Sequence, residues 1–206
     1  MVKRKADVKG EKMAKITRTY IVPMRRVREG RTDYRQRMKL LKSGQPRFVV
    51  RTSLKNISCQ VVVYEPKGDR TVAAAHSKVL SKYGWKGPCG NIPAAYLTGL
   101  LTGLMAKKIG ISSGILDIGL YRSSPGSRIY ACLKGLLDAG ITIPHSSQIL
   151  PSQDRIIGKH IARWANMLKA EPERYKRMFS LYLKAGIEPE NIEKQFLDVK
   201  EKILKG

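Results

Sequence analysis

The chain has 206 residues, 42% of them hydrophobic, with 40 Lys or Arg against 16 Asp or Glu and a formal net charge of +24. That length suits one sizeable core with appendages, and a charge so far from neutral points to a polyanionic partner rather than a small-molecule substrate. The apolar stretch at residues 92–106 contains Gly and Thr and stops at Lys107 and Lys108, short of the roughly 20 apolar residues that span a bilayer.

The basicity is concentrated at the N-terminal end. Residues 1–55 hold 18 Lys or Arg against four acids, Asp7, Glu11, Glu29 and Asp33. Within this stretch, residues 25–37 read RRVREGRTDYRQR, with six arginines and no lysine. Arginine's planar fork suits bidentate phosphate contacts better than the ammonium point charge does. Tyr20 and Tyr34 add rings able to stack on unpaired bases. RNA is therefore the leading partner, with DNA second. An anionic membrane is disfavoured, because the basic run lacks the large apolar face of an interfacial helix. Residues 1–46 have little apolar periodicity and are expected to form a basic arm, disordered when free and ordered by nucleic acid. Only Met38, Leu40 and Leu41 suggest a helical turn.

From residue 47 to about 150 the pattern predicts a mixed α/β domain. Arg47–Ser53 and Ile57–Tyr64 are rich in β-formers and read as a hairpin, followed by a third strand over Thr71–Ala75. Alternation places Phe48 and Val50 on one face and Arg47, Arg51 and Ser53 on the other, which predicts a basic strip. Asn91 and Pro93 open a helix whose Gly99 and Gly103 suit close approach to the sheet. Ile115–Tyr121 reads as a buried strand, a helix follows Ser127, and Ile141–Ile143 reads as a last short strand. Strand–helix alternation of this kind implies a mixed sheet covered by helices. Residues 151–206 read as a helical extension of three amphipathic segments, with stripes such as Ile192, Phe196, Val199 and Ile203.

Enzymatic signatures are sparse. Asp117 is the single acid in a predicted core strand, whereas a two-metal nuclease needs several converging carboxylates; a structural or capping role suits it better. His76, His145 and His160 lack zinc-ligand spacing. The loop GWKGPCG lacks the Lys and Ser or Thr of a nucleotide-binding loop, although Trp85 and Lys86 could meet RNA or, for Trp85, cap the core. No cofactor or metal is expected. Cys59, Cys89 and Cys132 are odd in number and far apart, which suits a reducing compartment, and the expected location is cytoplasmic.

The runs RRVREGRTDYRQR, GWKGPCGNIPAAYLTGLL, ILDIGLYRSSPGSRIYACLKGLLDAG and IPHS occur in this order between Tyr20 and Ile161. Together they resemble the archaeal and eukaryotic branch of the ribosomal protein L-eighteen family, whose eukaryotic members are called ribosomal protein L-five. The resemblance implies a three-layer α/β fold with a ribonuclease-H-like sheet. It also implies a non-catalytic scaffold in the large subunit that binds 5S rRNA and helps attach it to 23S rRNA in the central protuberance. Neighbouring proteins there include protein L-five of the bacterial nomenclature.

Carried over residue by residue, the resemblance implies RNA contacts by Arg25, Arg26, Arg28, Arg31, Thr32, Tyr34 and Arg37, with Arg31 where the family usually has Lys; Arg35 lies in the same run. On the hairpin it implicates Arg47, Arg51, Ser53, Asn56 and Gln60. Lys86, Arg122, Arg128 and His145 fall in matching loops whose partner, RNA or protein, is open. Residues 1–12 precede a second methionine, Met13, where a more ordinary family start is expected, and beyond about Lys169 the resemblance weakens. Two alternatives remain at this stage: a metal-dependent nucleic-acid enzyme of ribonuclease-H-like fold, and a generic basic nucleic-acid binder.

Overall fold

A computed structural model describes residues 21–205. The expectations that fall on residues 1–20, including Tyr20 and Met13, lie outside the described residues. The sheet has the order β3-β2-β1-β4, from β1 (Arg47–Thr52), β2 (Ile57–Val63), β3 (Arg70–His76) and β4 (Ile115–Asp117). The first three form an antiparallel meander, and β4 pairs parallel with β1, so the sheet is mixed as expected. A bulge between Val61 and Val62 leaves Val72 of β3 without a partner in the register.

Two expected strands are shorter than predicted. The strand expected over Ile115–Tyr121 ends at Asp117. There the chain turns through Gly119 at φ +64°, and the Asp117 carboxylate accepts the Gly119 N–H at 2.8 Å. The strand expected at Ile141–Ile143 is a single parallel bridge, Ser113 to Thr142. Ile141 and Ile143 are nonetheless buried, so their apolarity reports packing rather than ladder pairing.

Helix α3 (Ile92–Lys108) is the central beam. The Asn91 side chain accepts from Ala94 N–H at 2.9 Å, Pro93 lies in the first turn, and Lys107 and Lys108 sit at the negative end of the helix dipole. Residues Ile92 to Gly103 are all buried, because the sheet, α4 (Arg128–Asp138) and the C-terminal helices surround them. Its two buried threonine hydroxyls are satisfied within the helix, Thr98 donating to the Ala94 carbonyl at 2.7 Å and Thr102 to the Thr98 carbonyl at 2.9 Å. The predicted close approach does exist, but its partner is α4 rather than the sheet. A Cβ on Gly99 would lie 2.0 Å from the Cys132 carbonyl oxygen, and one on Gly135 would lie 2.2 Å from that of Tyr96. These glycines let the two backbones touch.

The C-terminal segment is more broken than its periodicity suggests. It comprises α5 (Gln153–Ile157), α6 (Lys159–Leu168), α7 (Pro172–Met178), α8 (Ser180–Lys184) and α9 (Ile192–Lys205). Gly158, at φ +98°, separates α5 from α6, and Phe179 separates α7 from α8. The stripe Ile192, Phe196, Val199 and Ile203 is buried as predicted and joins the same apolar cluster as Leu97 and Leu100 of α3. The Tyr96 and Phe196 rings lie 5.5 Å apart. The extension therefore completes the core on the far side of α3.

At the other end, α1 (Arg25–Arg28) and α2 (Tyr34–Leu41) show that the described part of the arm has regular structure, beyond the one turn expected at Met38–Leu41. Asp33 caps α2, accepting from the N–H groups of Arg35 at 2.9 Å and Gln36 at 3.1 Å.

Replacing Gly99 or Gly135 by Ala puts a methyl into backbone that cannot move aside easily. Either change is expected to destabilise the fold by about 3 kcal/mol or more, read as a lowered urea midpoint, whereas Ala at the open Gly126 turn, strained only by its φ of +69°, costs less.

Candidate nucleic-acid interface

The sheet has two unlike faces. One carries Phe48, Val50, Cys59, Val61, Ala73 and Ala75 into the core against α3 and α4. The other carries Arg47, Val49, Arg51, Gln60, Val62 and Thr71, and α2 lies over part of it. Between arm and sheet is a cleft of about 300 Å³, lined also by Arg26, Arg31, Thr32 and Arg37.

Five alternating charges organise this face. In the parallel register Asp117 stands beside Val49, so its carboxylate falls between Arg47 and Arg51, two residues either way on the same face. Arg47 reaches Asp117 at 3.1 Å and Asp69 at 2.6 Å. Arg51 reaches Asp117 at 3.0 Å and its backbone carbonyl at 2.7 Å. Arg37 of α2 binds Asp69 at 2.9 Å. The ladder thus runs Arg37, Asp69, Arg47, Asp117, Arg51, and it ties the arm to the sheet.

Burial divides these residues by role. The Arg47 side chain is only 3% exposed and Asp117's 10%, so their pairing acts in a low dielectric, where an ion left alone costs several kcal/mol. Arg47, expected to touch RNA, has its guanidinium buried and bound to two carboxylates. Its Nε finds no protein acceptor among the described residues, so the terminal nitrogens carry the pairing. Arg51, 40% exposed, keeps an outward edge. For Asp69, burial pushes its carboxyl up, but hydrogen bonds and charge from Arg47 and Arg37 outweigh this and hold it below the ordinary value.

In the arm, Glu29 binds Arg25 at 3.0 Å and Arg31 at 3.1 Å, both exposed and hence weak pairs. Arg26 donates from Nε to the Thr32 hydroxyl at 2.9 Å, which orients its remaining donors. Arg26, Arg28 and Arg35 are exposed and have no carboxylate partner among the described residues. Tyr34 is half-buried at the start of α2, and Gln60 is exposed on the open sheet face.

The remaining expected contacts lie elsewhere. Arg128 donates to the carbonyls of Ser53 and Gly90, both at 2.9 Å, and so clamps the hairpin tip to the loop before α3. Ser53 and Asn56 close the hairpin turn, the Ser53 hydroxyl lying 3.0 Å from both the carbonyl oxygen and the N–H nitrogen of Asn56. Lys86, Arg122 and His145 are exposed in loops, with His145 Nδ1 held 2.7 Å from the Ile143 carbonyl. Trp85 is buried and belongs to the core.

Sequence reasoning missed Asp69 and the pairing role of Asp117. The available signal was a lone acid in an otherwise apolar strand. No group of three or more His, Cys, Asp or Glu able to hold a metal occurs among the described residues, and none of their helices is long and apolar enough to cross a membrane.

The two strand arginines should separate under substitution. Arg47→Met leaves the buried Asp117 carboxylate and the part-exposed Asp69 carboxylate each short of a partner and is expected to cost on the order of 3 kcal/mol of stability. Arg51→Ala is expected to cost about 1 kcal/mol while weakening RNA binding more. Urea denaturation and an RNA-binding titration on both variants read the crossing.

The arginine-bearing arm, the charged sheet face and helices α3 and α4 behind it fall within a stretch that matches a family of known proteins. The model of the family described as ribosomal large subunit proteins 60S L5, and 50S L18 matches residues 18–113 and 105–146, well over half of the chain. The chain belongs to that family: it is an RNA-binding structural protein of the large ribosomal subunit, not an enzyme.

Proposed function

We propose that this protein binds 5S rRNA through the arm and the open sheet face, and helps attach it to 23S rRNA in the central protuberance of the cytoplasmic large subunit. Protein L-five of the bacterial nomenclature is its neighbour there. The observation that carries this reading is the set Arg26, Arg28 and Arg35, exposed arginines without carboxylate partners among the described residues, of which Arg26 lines the basic cleft. Arg25 and Arg31 join them, because an exposed carboxylate pair gives way to phosphate at little cost, and Arg51 joins them through the outward edge of its guanidinium while it stays paired with Asp117. Thr32, Tyr34 and Gln60 supply hydroxyl, ring and amide groups for sugar, base or phosphate contacts.

The arm, 1–46, acts as the phosphate-binding unit; 47–150 orients it, and 151–206 stabilises the core from behind. The order β3-β2-β1-β4, continued by the Ser113–Thr142 bridge, supports a sheet of ribonuclease-H-like type. Function follows from the site and not from that architecture.

A salt series of 5S rRNA binding, with duplex DNA as competitor, tests the reading. The expected result is a steep slope of log K against log salt, a strong preference for 5S rRNA, and a slope shallower by roughly 1.5 to 2 in the Arg28→Ala, Arg35→Ala double variant. Equal affinity for the two nucleic acids would reduce the protein to a generic basic binder.

A further inference from the structure

A second surface, sharing no residue with the cleft beneath the arm, lies at the tip of the β1–β2 hairpin. It is a groove of about 660 Å³ between the hairpin turn, the loop before α3 and helix α8. Leu54, at the tip, is 96% exposed, and Leu181, facing it from α8, is 62% exposed. Lys55, Lys78 and Lys86 surround these leucines, no carboxylate lines the groove, and none of the three has an ion-pair partner among the described residues.

The groove is also held in shape. A Cβ on Gly90 would lie 2.8 Å from the Leu54 carbonyl oxygen, so the absence of a side chain there lets the turn seat directly on the loop. Arg128 fixes both backbones through the Ser53 and Gly90 carbonyls. A leucine held so far into solvent by a clamped turn gains nothing within this chain, and a contact that covers it with apolar atoms recovers the lost burial.

We propose that this groove docks an acidic, leucine- or aromatic-bearing segment of a neighbouring protein in the large subunit. This rests on the assignment of the chain to that subunit. Charge complementarity selects the acid, and the two leucines select the apolar side chains. RNA suits the groove less well, because among the described residues neither an arginine fork nor an aromatic ring lines it. The molecule thus faces RNA with its arm and protein with its hairpin tip.

The test places the photo-crosslinking residue p-benzoylphenylalanine at Leu54, and separately at Leu181, in the full chain assembled into large subunits. Sedimentation reads incorporation into the subunit, and mass spectrometry identifies the adducts. The expected result is that both positions attach to one segment of one protein, with Asp or Glu within a few residues. The yield should fall at least fivefold when Lys78→Glu and Lys86→Glu are added. Adducts to rRNA nucleotides, no macromolecular adduct, or a yield indifferent to charge reversal would each overturn the proposal. Failure to sediment with the subunit would instead remove the assignment beneath it, and the proposal with it.

Discussion

The buried contact between Arg47 and the carboxylates of Asp69 and Asp117 is the constraint on which the open side of this molecule depends. Three strands meet at that guanidinium: Arg47 lies on β1, Asp117 ends β4, and Asp69 immediately precedes β3. Because β4 pairs with β1 over only three residues, side-chain charge supplies part of what a longer ladder would otherwise supply. Arg51 and Arg37 cap the two ends of the ladder, so three positive charges balance two negative ones and the excess faces outward. A sheet face that would otherwise expose its valines becomes a rigid cationic platform. The same ladder anchors α2, which sets where the arm leaves the domain.

Behind the platform the packing is of a different kind. Helix α3 is apolar on every side, which only a helix enclosed by other elements tolerates. Glycines at 99, 103 and 135 bring it against α4 at backbone contact, and α9 closes the remaining side with Phe196 against Tyr96. In the proposed function this rigidity serves binding, because an RNA contact built on fixed strands loses less conformational entropy than one built on loops. The arm provides the opposite quality, a string of arginines whose weak exposed pairs exchange readily for phosphate.

Much of this was legible in the sequence, and the misses share a cause. The hairpin, α3 with its Asn91 cap, and the α9 stripe follow from local periodicity and capping, which need no knowledge of distant residues. The roles of Arg47 and Arg51 do not. Alternation correctly put both on one face, yet whether an arginine there meets water or a carboxylate depends on Asp69 and Asp117, 22 and 66 residues away respectively from their partners. Gly99 and Gly103 likewise announced a close approach without naming α4 as its object. The α2 helix was under-read because its N-cap, Asp33, sits inside a charge run that masks it. Ile141 and Ile143 looked like a strand because burial and strand pairing leave the same apolar mark.

The most direct test is an arginine footprint: modification by an arginine-selective dicarbonyl, quantified residue by residue by mass spectrometry, on the free protein and on its complex with 5S rRNA. The account predicts that Arg47 is unreactive in both states, while Arg26, Arg28, Arg35 and Arg51 react when free and are protected in the complex. Reactivity of Arg47 in the free protein would contradict the buried ladder. Persistent reactivity of the arm arginines in the complex would contradict their role in holding RNA.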